Sequence, residues 1–242
     1  SEKDKLASPQ GASSFQLKFL LADQKDHMRN MKSEGLLGLG PLNGSADKSM
    51  PLNPFFAGAQ QNLYEHAIFA LDIRSSRADD ELEIDLGGWS SEKVRGSAYR
   101  NAASPDGLHW LGTRSKSHWI AQTYQVNVDS RVATNQKSAA IIDSGSSKLM
   151  VPRDTFDAFV DEVVSRRLCI KEFIKPGRFL CGCDYQAIEG VYPEIRVLLG
   201  DASKRLWVKI GPRDYMYPEN ANPNDVISFC VDVRGSPPFV LK

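Results

Sequence analysis

A chain of 242 residues is long enough to bury a sizeable core, and suits either one large domain or two small lobes. Lysine plus arginine equals aspartate plus glutamate at 30 each, so nothing in the charge balance favours nucleic acid or an anionic membrane as partner. No apolar run is long enough to span a bilayer. The chain opens on Ser1 with neither an initiator methionine nor a signal-peptide pattern, which leads us to expect a fragment or a mature form whose targeting segment is gone.

In chain order, residues Ser1 to Ser14 are polar with Gly and Pro and are expected to fray. Phe15-Gln16-Leu17-Lys18-Phe19-Leu20-Leu21 alternates and then turns apolar, as a strand does. Glu34 to Pro41 is glycine-rich. Its Gly38-x-Gly40 followed by Gly44 breaks the dinucleotide spacing, and no Gly-Lys-Ser/Thr follows for a phosphate loop, so a nucleotide site is rejected. Asn43-Gly44-Ser45 is a glycosylation sequon compatible with secretion. From Pro54 to His66, Phe55, Ala59 and Leu63 fall at four-residue spacing with Phe56 alongside, which predicts an amphipathic helix. Ala67 to Ile73 and Leu82 to Gly88 read as strands on either side of a charged loop from Arg74 to Asp80. His118 to Val128 alternates through Tyr124, Val126 and Val128, with Trp119 near its start.

The stretch Ala139-Ala140-Ile141-Ile142-Asp143-Ser144-Gly145-Ser146-Ser147-Lys148-Leu149-Met150-Val151-Pro152 carries the chemistry. Ala139 to Ile142 reads as a buried strand, and Gly145 lets the backbone turn sharply close to the carboxylate. Most Asp-Ser-Gly triplets are plain surface turns, since all three residues favour turns. Here apolar runs flank the triplet on both sides, which argues against a solvated tip. The pattern puts an acid on a tight loop at a strand end with hydroxyls beside it, as carboxylate catalysis requires.

Beyond it, Phe156, Phe159, Val160, Val163 and Val164 fall at i, i+3, i+4, i+7 and i+8. Asp154 and Asp157 lie at the start and Arg166 and Arg167 at the end, which predicts a helix whose charges complement its dipole. Glu194–Leu199 and Arg205–Ile210 alternate around Gly200-Asp201 as a hairpin, and Val226 to Val233 is a further strand. The four cysteines, Cys169, Cys181, Cys183 and Cys230, suit two disulfides or one tetrathiolate metal site. Cys181-Gly182-Cys183 has one residue between its thiols where a metal knuckle has two or more, so disulfides are favoured and no metal is expected.

The run Ile141-Ile142-Asp143-Ser144-Gly145-Ser146-Ser147 with Leu149-Met150-Val151-Pro152 resembles the second active-site signature of pepsin-like aspartic proteases, in a form closer to the memapsin-like members than to pepsin itself. Gly35-Leu36-Leu37-Gly38-Leu39 resembles the family's framework segment that crosses behind the catalytic loop. Trp119 resembles an aromatic at the equivalent strand, and the Gly87-Gly88 corner resembles the family's turn between lobes. The resemblance covers roughly residues 15 to 242. It implies a mostly β, bilobal acid-protease fold with a few short helices. Residues 15–90 would be a remnant of the N-terminal lobe and 91–242 most of the C-terminal lobe.

The family's mechanism uses two aspartates, one per lobe, that share a proton and activate a water. The resemblance implies that Asp143 is one of them. Ser144 would reach across to the partner loop, Gly145 would donate its N–H to the carboxylate, Ser146 would hold the outer carboxylate oxygen, and Ser147 would line the substrate cleft. No other aspartate stands in a matching apolar-Asp-Ser/Thr-Gly setting, so the first aspartate and the flap are expected upstream of this sequence, and the closing strands after Lys242. By the same resemblance Cys183 pairs with Cys230 as the family's late disulfide and Cys169 with Cys181 as an extra one. The expected substrate is a polypeptide, with no cofactor and no nucleic acid, and the expected location is the secretory pathway, vacuolar, lysosomal or extracellular. Two other readings compete: a pepsin-like binding scaffold without catalysis, and an unrelated β sandwich lacking a ψ-shaped loop at Asp143.

Overall fold

The computed structural model describes residues 35–41, 53–64, 66–72, 83–97, 99–113, 115–146, 149–169, 179–182, 188–218, 228–231, 233–235 and 239–241. The expected frayed start, the strand at 15–21, the sequon, the whole loop at 74–80, Ser147 and Cys183 lie outside the described residues. The chain divides into two units, Ser1–His109 and Trp110–Lys242.

In the first unit, residues 35–41 carry neither helix nor strand, and Leu36 and Leu37 are exposed. Helix α1 spans Pro54–Gln60, with proline at its start and Asn53 as N-cap. The Asn53 side chain accepts from the Phe56 N–H at 3.0 Å, which satisfies one of the orphan donors of the first turn. The helix is shorter than the expected 54–66. Asn62 steps into the left-handed region at φ 55°, where asparagine is among the few residues tolerated. Phe55 is buried and packs against Phe56, Tyr64 and Phe69 at 4.8, 5.9 and 5.1 Å between ring centroids. Strands β1 (Phe69–Asp72) and β2 (Glu83–Leu86) pair antiparallel. A short helix α2, Ser91–Gly96, follows on a Ser90 cap, and its Lys93 bridges Asp72 and Glu83 at 3.1 and 2.6 Å, fastening the helix to both strands.

The second unit is built from β3 (Ile120–Val128), β4 (Arg131–Thr134), β5 (Ser138–Ile142), β6 (Leu149–Val151), α3 (Arg153–Ser165), β7 (Phe179–Gly182), β8 (Ile195–Gly200), β9 (Arg205–Ile210), α4 (Pro212–Tyr215), β10 (Met216–Pro218), β11 (Ser228–Val231), β12 (Val233–Gly235) and β13 (Phe239–Leu241). One sheet runs β12-β6-β13-β5-β3-β8-β9, with β4 also on β3, and a smaller one runs β10-β11-β7. Strand β3 buries Ala121, Thr123, Val126 and Val128 against Ile195, Val197 and Leu199 of β8; the expected alternation holds for Val126 and Val128 but not for Tyr124, because the pairing shifts by one residue between Thr123 and Gln125. Helix α3 lays its buried Ala158, Phe159 and Val163 into the same core. Its apolar positions repeat at helical spacing, so the face was fixed by sequence. The helix ends where Arg166 caps it and Arg167 turns to φ 57°.

The feature that positions the candidate site is the path of β5, β6 and β13. Strands β5 and β6 are consecutive, yet they are not each other's neighbours. Strand β13 lies between them, parallel to β5 (Phe239↔Ala140, Val240↔Ile141, Leu241↔Ile142) and antiparallel to β6 at Val240↔Met150. Two arms with a third strand inserted between them form a ψ, and the turn of Asp143 is at its opening. An unrelated sandwich lacks this arrangement.

Candidate active site

Strand β5 delivers Asp143. The last residue of the strand, Ile142, donates its N–H to the Trp119 carbonyl at 2.8 Å, so backbone pairing holds the chain up to the residue before the acid. The chain then turns: Ser146 N–H donates to the Asp143 carbonyl at 3.3 Å, closing a four-residue turn. Within it the Gly145 N–H donates to Asp143 Oδ1 at 2.9 Å, and the Ser146 hydroxyl donates to Oδ2 at 2.6 Å. Each carboxylate oxygen therefore has its own donor from three residues of local sequence. Hydrogen bonds to a charged group contribute about 1.5–3 kcal/mol each, enough to fix the plane of the carboxylate while leaving lone pairs for another partner.

Gly145 has a steric role as well. A Cβ there would lie 3.1 Å from Asp143 Oδ1, closer than ordinary contact. Asp143 is half-buried, whereas Ser144 and Gly145 are exposed, so the acid sits on an open turn backed by a rigid strand. The Ser144 hydroxyl makes no hydrogen bond to the described residues, and Ser147, also expected at the site, lies outside them. The arrangement can orient a carboxylate toward solvent as a proton acceptor or donor. Among the described residues no group of three or more His, Cys, Asp and Glu side chains could hold a metal ion.

The Trp119 carbonyl is the site contact that sequence reading missed. The sequence marks Trp119 only as an aromatic near the start of an alternating stretch, and a backbone contact between residues 119 and 142 leaves no mark on side-chain pattern. Cys169 and Cys181 form a disulfide with Cα atoms 4.4 Å apart, and both are buried. It ties the segment after α3, where the Cys169 N–H reaches the Val163 carbonyl at 3.4 Å, to β7. The backbone of Cys230 lies in β11, opposite Leu180. Its expected bond to Cys183 involves a residue outside those described.

A ψ-shaped strand path with a hydrogen-bonded Asp-Ser-Gly-Ser turn at its opening is the framework of an aspartic protease lobe. The model of the family "eukaryotic aspartyl protease" matches residues 7–208, and the chain belongs to that family, with a mostly β, pepsin-like fold. Among its relatives, pepsin-2B of Gadus morhua is 25% identical over 119 residues, which cover 49% of this chain and 33% of that protein. Vacuolar protease A of Aspergillus fumigatus is 24% identical over 135 residues, covering 55% of this chain and 31% of that protein. The matched part of the chain spans about a third of the length of these curated relatives.

Proposed function

We propose that this chain is part of an aspartic endopeptidase in which Asp143 is one of two carboxylates that activate a water for attack on a peptide bond. The observation that supports the reading is the pair of donors on the two oxygens of Asp143, one from the Gly145 N–H and one from the Ser146 hydroxyl. Two neighbouring carboxylates cannot both ionise; sharing one proton, they leave one acid and one base for the same water. On this reading a segment of the parent protein upstream of Gly35 supplies the partner aspartate. Ser144, exposed and without a described partner, reaches toward that segment, and Ser147 lines the cleft for the polypeptide substrate. The parent works in the secretory pathway, in a vacuole or lysosome or outside the cell. Among the described residues no helix is long and apolar enough to cross a membrane.

With one qualifying aspartate, the chain by itself is inactive. Incubating the purified chain with a denatured protein at acidic pH should yield no cleavage, while the full-length parent should cleave in a pepstatin-sensitive way. Cleavage by the isolated chain would refute the shared-dyad reading. A full-length parent that lacks an upstream Asp-Thr/Ser-Gly and does not cleave would instead make the protein a non-catalytic pepsin-like scaffold.

A further inference from the structure

Residues 115–118, just before β3, carry neither helix nor strand, and side-chain hydroxyls hold their backbone. Thr113 Oγ1 accepts the N–H groups of Ser115 at 3.5 Å and Ile120 at 3.3 Å. Ser115 Oγ accepts those of Ser117 at 3.1 Å and His118 at 3.2 Å. A hydroxyl has two lone pairs and one proton. With both lone pairs taken by backbone, Ser115 donates its proton to Ser117 Oγ, 3.1 Å away. Ser117 Oγ, 2.9 Å from His118 Nδ1, keeps its own proton and one lone pair for the ring. It can therefore donate to a neutral imidazole or accept from a protonated one. In both cases Nδ1 is satisfied and Nε2 carries a proton. His118 is exposed, and Nε2 has no hydrogen-bond partner among the described residues.

The register of the sheet brings this ring to the Asp143 turn. In the β3–β5 ladder Ala121 pairs with Ala140 and Ile120 with Ile141, and the Ile142 N–H reaches the Trp119 carbonyl at 2.8 Å. The next step of the same register sets His118 against Asp143. Opposed residues of an antiparallel pair share a face, and this one is the face away from the buried Ala121 and Ala140. Each residue is one Cα step beyond the Trp119–Ile142 pair, so their Cα atoms are at most about 13 Å apart. An extended peptide advances about 3.3 Å per residue, so it covers that span in about four residues. The oxygens of Asp143 take their donors from Gly145 and Ser146, and His118 is not among them. Lys116, also exposed, places a positive charge two residues before the ring. Histidine gains its own charge in acid, so an anionic acceptor is favoured here over a neutral one.

We propose that His118 is a specificity-determining residue of the Asp143 site, whose Nε2–H binds the carboxylate of an acidic substrate residue within about four positions of the bond cut. The assignment rests on the protease reading above.

The test uses the full-length parent at about pH 5, where a glutamate side chain in solution is ionised and free imidazole is protonated. Denatured serum albumin is digested and the cut bonds are mapped by mass spectrometry. Asp and Glu should be enriched at one position within about four residues of those bonds. Peptides built on the best-cut sequence, with Glu, Gln or Lys at that position, then give kcat/KM. Wild type should prefer Glu over Gln by about two- to fivefold, the scale of an exposed ion pair, with the difference carried mainly by KM. His118→Gln should bring the ratio close to one, and His118→Glu should reverse it in favour of Lys. Lys116→Gln should reduce the preference less than His118→Gln does. Circular dichroism checks that each variant, altered only at an exposed side chain, keeps the β fold. Cleavage by wild type with no acidic preference, or a preference that survives His118→Gln or fails to reverse in His118→Glu, would overturn this assignment and leave the protease reading standing. No cleavage of any peptide by the wild-type parent would overturn both.

Discussion

Gly145→Ala separates catalytic positioning from fold stability. An added Cβ would sit 3.1 Å from Asp143 Oδ1, and ordinary contact begins at 3.4 Å, so the carboxylate must give by a few tenths of an ångström. That oxygen is also the acceptor of the Gly145 N–H at 2.9 Å, while Ser146 continues to hold Oδ2 at 2.6 Å. The carboxylate therefore pivots about its Ser146 anchor rather than coming loose. Gly145 does not occupy the left-handed region, so alanine can adopt its backbone and should contribute about 0.4–1 kcal/mol by restricting the unfolded chain. The strain of the shifted carboxylate offsets part of this, and the net stability change should stay within about 1 kcal/mol. Turnover should respond more. A displacement of about 1 Å can cost a hundredfold in rate, so a few tenths should cost about three- to tenfold. Thermal denaturation and kcat on the full-length variant measure the two effects side by side. Unchanged turnover, or a loss of several kcal/mol of stability, would refute the reasoning.

Replacing Cys169 and Cys181 together with alanine opens a loop with a sequence separation of 12. It should lower the unfolding free energy by about 3 kcal/mol from loop-closure entropy; a loss below about 1 kcal/mol in urea titration would contradict the bridge's role. Tyr215→Phe removes the hydroxyl that donates to the Pro193 carbonyl at 2.7 Å in the core beside Phe159, and should cost about 1–3 kcal/mol by the same assay. Asp201, in the β8–β9 turn, accepts from the Ser203 hydroxyl and from the N–H groups of Ser203 and Lys204, which lowers its pKa to about 2. A depressed carboxyl stabilises the fold above its unfolded pKa near 3.9 and loses that contribution as pH falls through about 2. The turn should stay ordered at pH 3, and an NMR titration of the Asp201 carboxyl with a midpoint near 4 would be inconsistent with these bonds.

What the sequence revealed and what it hid divide by range. The Asp143 turn was legible because its donors come from Gly145 and Ser146, two and three residues away, and because apolar runs on both sides announced β5 and β6. Helix α3 was legible from its 3.6-residue apolar period, and the β8–β9 hairpin from a period of two around Gly200. Hidden were α2 and α4, of 6 and 4 residues, and β4, β7 and β10, too short to show a period. Hidden too was the insertion of β13 between β5 and β6. Phe239-Val240-Leu241 reads only as a short apolar run, and nothing local says that it pairs with residues a hundred positions earlier. The bulge at Tyr124 is hidden for a related reason: the sequence alternates through Tyr124, Val126 and Val128, whereas burial slips by one residue between Tyr124 and Val126.

The most direct test of the account is turnover of the full-length parent carrying Asp143→Asn, measured across acidic pH beside the wild type. The amide keeps the size of the side chain: its oxygen can accept from the Gly145 N–H while its NH2 donates to the Ser146 hydroxyl oxygen, so the turn and the melting temperature should be little changed. It cannot share a proton with the partner aspartate, so the pair no longer offers an acid and a base to the same water. The account predicts a bell-shaped pH profile for the wild type, as a coupled pair gives, and no measurable turnover for the folded variant at any pH. Near-normal turnover by a folded Asp143→Asn protein would make Asp143 a turn residue and contradict the account.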